Sequence, residues 1–220
     1  MEYLIPFTHR HLDPVERLSE VLFGLIMALG FTGAVRLGMT EADNRALLVG
    51  VFGCNAAWAI VDGVMYVLTG LFERGRLTRI VRGVRKASTD EEALRLIACE
   101  LGDQLEPVTT EDQRWQIYHW AMEGIRRDSH EKVRVHWEDL KGGVAVALLI
   151  ITATVPVVIP FIIISSPDTA VRVSNLIGLG MLFLLGCWWG AQVGVSAVRV
   201  GIGLTLLGAA LVLITIVLGG

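Results

Sequence analysis

Five long apolar stretches constrain the fold more than any other feature of this sequence. They cover roughly residues 18–36, 46–72, 143–165, 173–193 and 197–218. Each is close to the ~20 residues that a helix needs to cross the hydrocarbon core of a bilayer. The mean hydropathy of +0.58 and the 53% hydrophobic content agree with a membrane environment. We therefore predict an all-α integral membrane protein with five transmembrane helices, because lipid cannot form hydrogen bonds with the free amide and carbonyl groups of an irregular backbone.

The basic residues predict the orientation of the chain. Segment 74–141 contains 13 of the 19 lysines and arginines. Because lysine and arginine accumulate in cytoplasmic loops, this segment is expected to be a helical cytoplasmic insertion between helices 2 and 3. The predicted organisation is 1–73 for the N-terminal segment with helices 1 and 2, 74–141 for the insertion, and 142–220 for helices 3 to 5. The N-terminus is then inside and the C-terminus outside. Short loops and the lack of a targeting peptide favour a bacterial cytoplasmic membrane.

Several function classes are disfavoured by composition and by missing motifs. A net charge of −3 and a pI near 6.0 argue against a nucleic-acid partner. The three cysteines are scattered and predict neither a disulfide framework nor a zinc site. The sequence has no nucleophile elbow, P-loop, HExxH or dinucleotide fingerprint. We expect no enzymatic activity and no tightly bound cofactor.

The insertion is predicted to consist of helices. The tetrapeptides Thr89–Glu92 and Thr110–Gln113 have the pattern of capping boxes, which mark helix N-termini. Gly102 is a candidate C-terminal stop for the first helix, and Pro107 breaks the chain after it. The second helix is expected to run to about Leu140, where it could continue into the third spanning helix.

Asp62 lies near the middle of the second apolar stretch, where a charged group is costly unless water, a cation or a partner solvates it. It belongs to a stripe with helical spacing. This stripe indicates a polar pathway through the membrane. The alternative is a structural Asp62, hydrogen-bonded to another helix through Thr32 or Asn175. The remaining members of the stripe are Asn55, Trp58, Met65, Thr69 and Glu73.

The residue types around Asp62 suggest a metal pathway. Glu20 and Glu73 are near the predicted cytoplasmic ends of helices 1 and 2 and would form an acidic entrance. Met27 and Met65 would lie deeper, beside Asp62. Carboxylates with thioethers suit Fe²⁺ or Mn²⁺ better than Na⁺ or Mg²⁺. The alternative role of each methionine is to fill the core.

A second candidate metal site lies in the insertion. His119 and Glu123 are one helical turn apart and could ligate a divalent cation, with Met122 as a softer neighbour. The alternative is an amphipathic helix with ordinary surface charges.

The order of helices resembles the vacuolar iron transporter-like family. TVPVVIPFIII is similar to its third helix, WWGAQVGVSAVRVGIGLTLLGAALVLITIVLGG to its closing helices, and RLSEVLFGLIMALGFTG to its opening helix. WAMEGI resembles a metal-binding cluster of its cytoplasmic helices. The resemblance implies transport of iron or manganese by a homodimer. Met27 and Met65 stand where the family has acidic residues, and Asp62 is a candidate substitute.

Two hypotheses for function follow. The first is a proton-coupled exporter of Fe²⁺ or Mn²⁺ from the cytoplasm, with Asp62 as central ligand or proton carrier. The second is a non-transporting membrane scaffold or regulator whose cytoplasmic helices bind a protein partner or anionic lipid. The basic stretch 74–86 is expected at the level of the lipid headgroups. An intramembrane enzyme using Asp62 is a third alternative.

Overall fold

The structure is a computed structural model that describes residues 12, 14–38, 44–127 and 133–217. All regular secondary structure in these ranges is helical, which confirms the all-α class. Residues Glu106–Val108 form a 3-10 turn. The helices are α1 Pro14–Gly38, α2 Asn44–Lys86, α3 Asp90–Leu105, α4 Glu111–Arg127, α5 Trp137–Val158, α6 Pro160–Ile163, α7 Pro167–Val193 and α8 Ala197–Val217.

Four described segments are long and apolar enough to cross a membrane. They are Asn44–Lys86, Trp137–Ile163, Pro167–Val193 and Ala197–Ile214. These segments support an integral membrane protein surrounded by a lipid bilayer. The first apolar stretch also forms a helix, α1, and its crossing of the bilayer stays a prediction.

The chain divides into two compact units. The first contains Met1–Val67 and Trp137–Gly220, and the second contains Leu68–His136. The second unit overlaps the predicted insertion 74–141. The side of the membrane on which it lies stays a prediction.

In the first unit, α1 packs against α5, α7 and α8. Its side chains Leu25 and Leu29 are fully buried in the same apolar core as Leu182 of α7. Polar contacts within this core join the helices in pairs. The hydroxyl of Ser174 on α7 donates to the carbonyl oxygen of Val157 on α5 at 2.7 Å.

The helices α7 and α8 form a tight antiparallel pair. A Cβ added at Gly186 would come within 2.7 Å of the Cα of Gly201, and one at Gly190 within 2.8 Å of the Cα of Ala197. These two glycines therefore let the backbones of α7 and α8 pack directly against each other. Gly194 ends α7 with a φ of 75°, a conformation that glycine adopts without steric cost.

Proline shapes the end of α5. Pro156 is inside the helix, whereas Pro160 starts the separate short helix α6 after a turn at Ile159. Because proline cannot donate a backbone hydrogen bond, the helical hydrogen-bond pattern is interrupted at this point.

The second unit has its own apolar core. Its buried members are Val84 of α2, Ala93, Leu94 and Ile97 of α3, and Tyr118 and Met122 of α4. Both predicted capping boxes are present. The Glu92 amide donates to Thr89 Oγ1 at 3.2 Å, and the Thr110 amide donates to Gln113 Oε1 at 2.9 Å.

Two expected helix ends in this unit are wrong. α3 continues past Gly102 to Leu105, where the Glu106 amide still donates to the Gly102 carbonyl oxygen, and the 3-10 turn that contains Pro107 follows. α4 ends at Arg127 and does not reach Leu140, since residues 133–136 are not helical.

Candidate cation site

A cavity of about 460 Å³ lies between α1 and α2 in the first unit. Its walls are mainly apolar, and Phe23 and Trp58 are about half exposed, so it opens to the surface of the chain. Met27 and Asp62 add a thioether and a carboxylate to this lining. The remaining lining residue is Ile26.

Asp62 is positioned by the close approach of α2 to α5. The neighbouring residue Gly63 packs directly on Gly143, and a Cβ at Gly63 would lie 2.7 Å from the Gly143 carbonyl oxygen. One turn further along, the Tyr66 ring covers Gly142. These contacts fix the α2 backbone next to Asp62, and the carboxylate lines the cavity.

Glu20 of α1 is the second carboxylate of this region. It is half-buried, and its Oε2 atom is buried without a hydrogen-bond partner in the described part of the chain. The negative charges of Glu20 and Asp62 would repel each other when both groups are ionised. Because Glu20, Phe23 and Met27 share one helical face, α1 directs Glu20 towards the same region as the cavity.

Two carboxylates in apolar surroundings repel each other when both are ionised. A divalent cation, or protons, would remove this repulsion. The thioether of Met27 adds a soft ligand suited to a transition metal. Glu20 and Asp62 are, however, only two acidic side chains. Among the described residues, no group of three or more histidine, cysteine or acidic side chains could hold a metal ion.

The other predicted methionine ligand of the membrane pathway does not line this cavity. Met65 is 52% exposed on the outside of α2 and is not a lining residue. Glu73 belongs to the second unit and forms an exposed ion pair with Arg76 at 3.1 Å. The acidic entrance formed by Glu20 with Glu73 stays a prediction.

The candidate site on α4 is divided between the core and the surface. Met122 is 4% exposed and packs in the core of the second unit. His119 and Glu123 are exposed, and Glu123 contacts Arg127 at 3.3 Å. This placement matches an amphipathic helix whose methionine fills the core.

Thr32 and Asn175, the alternative hydrogen-bond partners for a structural Asp62, are hydrogen-bonded to each other. The Thr32 hydroxyl donates to Asn175 Oδ1 at 2.6 Å, which joins α1 to α7. The contact explains why Thr32 is fully buried although it is polar.

Two further polar residues lie on the helix faces that carry Asp62 and Glu20: Asn55, which the predicted stripe includes, and Arg17, which the sequence did not indicate as part of a site. Asn55 is 1% exposed on α2, and its Oδ1 atom, close to Gly24, has no hydrogen-bond partner among the described residues. Arg17 is 8% exposed and precedes Glu20 by one helical turn. The helical spacing of Arg17 from Glu20 and of Asn55 from Asp62 was the available signal.

A scan against protein-family models finds no match for this chain, and no curated protein is significantly similar to it.

Proposed function

We propose that this protein exports a divalent metal ion, Fe²⁺ or Mn²⁺, from the cytoplasm in exchange for protons. Glu20 and Asp62 would bind the ion and accept the protons, and Met27 would supply a soft ligand. The observation that carries the proposal is an apolar cavity lined by Asp62 and Met27, together with a buried Glu20 oxygen on the same face of α1 as Met27 that has no hydrogen-bond partner among the described residues.

Charge balance supports a divalent cargo exchanged for protons. One divalent ion neutralises both carboxylates, and protonation of both releases the ion without leaving uncompensated charge in an apolar region. The same pair of groups can therefore alternate between a metal-loaded and a protonated state.

The number of ligands supports participation of water or of a second copy. Two carboxylates and one thioether leave open positions on Fe²⁺ or Mn²⁺, which both bind more ligands than these. A homodimer that pairs the open sides of two cavities would supply equivalent groups. In this proposal α1 is a fifth spanning helix, the N-terminus is inside and the C-terminus outside, and the protein resides in a bacterial cytoplasmic membrane.

Metal uptake by proteoliposomes tests the proposal. Vesicles contain a metal-sensitive dye, and Fe²⁺ or Mn²⁺ is added outside together with an imposed pH gradient. Glu20→Gln and Asp62→Asn are expected to lower the initial rate at least about tenfold, the effect of losing one charged contact. Asp168→Asn, which removes an exposed acid at the start of α7, is the matched control and should leave the rate unchanged.

Metal transport by both variants at the parent rate would contradict the proposal. If the parent itself moves no metal, the alternative gains support, namely a non-transporting scaffold or regulator whose second unit binds a protein partner or anionic lipid. The separate core of the second unit favours this alternative, because it can present a defined surface.

A further inference from the structure

The basic residues at the end of α2 differ in whether they have partners. Arg76 contacts Glu73 at 3.1 Å and Glu100 at 2.9 Å, and Arg85 Nε donates to the Ile125 carbonyl at 2.8 Å. By contrast, Arg79 and Arg82 are exposed, and the structure records no partner for them among the described residues.

The face of α2 that carries these two arginines is apolar two to four turns earlier. Leu68 and Phe72 are 47% and 77% exposed. Their spacings of 7 to 14 residues from Arg79 and Arg82 place all four on one broad face of the helix. At 1.5 Å per residue, Arg79 lies about 10 Å and Arg82 about 15 Å beyond Phe72 along the axis. An apolar segment followed by basic residues is typical of a helix that leaves the hydrocarbon core.

Gly75 lies on this face between the apolar and the basic residues. A Cβ added at Gly75 would meet no atom within 4 Å, so the surface there is open. Side chains of a helix point towards its N-terminus, and the two guanidinium groups are therefore directed back towards the surface beside Gly75.

We propose that Arg79 and Arg82 bind the phosphate of an anionic membrane lipid, with the start of its acyl chains against Leu68 and Phe72. A guanidinium group offers paired N–H donors that match phosphate oxygens. The open surface at Gly75 accommodates the lipid glycerol. We name this face, formed by Leu68, Phe72, Gly75, Arg79 and Arg82, the lipid-binding face. The inference does not depend on metal transport.

The combination of groups favours a lipid over free phosphate or an acidic protein. Free phosphate has no apolar part that could contact the exposed Leu68 and Phe72. An acidic protein would have to bind next to a segment that is apolar enough to lie in the bilayer. An anionic lipid has a charged phosphate next to apolar chains, which is the same order as the basic and apolar residues along this face of α2.

Photolabelling of the full-length protein in vesicles tests this inference. The probes are phosphatidylglycerol and phosphatidylcholine, each with a photoreactive group near the glycerol, and labelled peptides are mapped by mass spectrometry. Residues 68–86 of the parent should be labelled more strongly by phosphatidylglycerol. Arg79→Gln with Arg82→Gln should lower this labelling at least about fivefold, as expected for loss of a basic contact at the membrane surface.

Two further variants separate the binding face from general charge effects. Arg95→Gln with Arg127→Gln removes the same charge from exposed positions of the second unit and should leave the labelling unchanged. Gly75→Leu retains both arginines but fills the open surface and should lower the labelling, whereas Gly124→Leu, also at an open position, should not.

Equal labelling by the two lipids, or unchanged labelling in the Arg79 and Arg82 variant, would overturn the inference. Loss of the labelling on addition of millimolar inorganic phosphate at constant ionic strength would assign the arginines to free phosphate instead. Displacement of phosphatidylglycerol by an acidic polypeptide, but not by phosphate, would assign them to a protein partner.

Discussion

The Thr32 hydroxyl on α1 and the Asn175 side-chain oxygen on α7 are 2.6 Å apart and satisfy each other inside the first unit. Asp62 is therefore not held by either of the two polar side chains that the sequence offered as its structural partners. This arrangement leaves its carboxylate at the cavity beside Met27.

Thr32→Val is expected to destabilise the fold without changing metal uptake. The substitution leaves the Asn175 oxygen unsatisfied between apolar helices, at a cost of about 1 kcal/mol. Unfolding in mixed micelles measures the loss. Thr205→Val, which removes a bond to the carbonyl of Gly201 in the same helix, is the control and should have a smaller effect. If Thr32→Val retains stability but abolishes uptake, Thr32 belongs to the cation site.

Gly63→Ala is expected to separate α2 from α5. The added methyl group would lie 2.7 Å from the Gly143 carbonyl oxygen, and neither backbone can move without disturbing Asp62. Overpacking of this kind costs about 2 kcal/mol, so both thermal stability and metal uptake should fall.

Gly53→Ala provides the comparison on the same helix, because a Cβ there meets no atom within 4 Å. Its stability should equal or exceed that of the parent. Equal behaviour of the two variants would show that the contact between Gly63 and Gly143 does not position Asp62.

Met27→Leu is expected to change selectivity, not stability. Leucine has a similar volume but no sulfur, so uptake of Fe²⁺ and Mn²⁺ relative to Mg²⁺ should fall severalfold. Competition between these ions in proteoliposomes measures the change. Met65→Leu is the control, since Met65 is exposed outside the cavity. A selectivity change in Met65→Leu alone would mean that the pathway follows the outer face of α2.

Substitutions on α4 distinguish a core methionine from a metal ligand. Met122→Ala should lower the stability of the second unit by about 2–5 kcal/mol, whereas Met122→Leu should cost less than about 1.5 kcal/mol. His119→Ala, at an exposed position, should change stability by less than about 0.5 kcal/mol. Hydrogen exchange across α3 and α4 measures these effects. Loss of Mn²⁺ binding in the stable Met122→Leu variant would restore the ligand role.

The sequence predicts those features that depend on local chemistry. The Thr89 and Thr110 capping boxes form because the first amides of a helix have no partner within the helix. The threonine hydroxyl and the Glu or Gln side chain three residues later accept hydrogen bonds from such amides. The spacing of Gly186 and Gly190, four residues apart on α7, is another local signal, because only small residues allow two helix backbones to meet. Asp62 lines a cavity with mainly apolar walls, and the polar pathway that its stripe indicates stays a prediction.

Features that depend on tertiary contacts were not predictable. Gly102 has the local pattern of a helix stop, but α3 continues through it to Leu105 and its carbonyl oxygen accepts from the Glu106 amide. Met122 and His119 were expected on one face, yet the core of the second unit takes only Met122. The electrostatic repulsion between Glu20 and Asp62 joins residues that are far apart in sequence, and periodicity along one helix contains no information about such a pair.

The backbone contact between α7 and α8 also bears on how the chain enters the membrane. Only residues 194–196 separate the two helices, so their encounter costs little chain entropy. Close contact between helix backbones is stabilised by van der Waals packing and does not depend on the hydrophobic effect. It can therefore form in the lipid bilayer. The last two helices can therefore pair as one hairpin during biosynthesis, immediately after α8 leaves the ribosome.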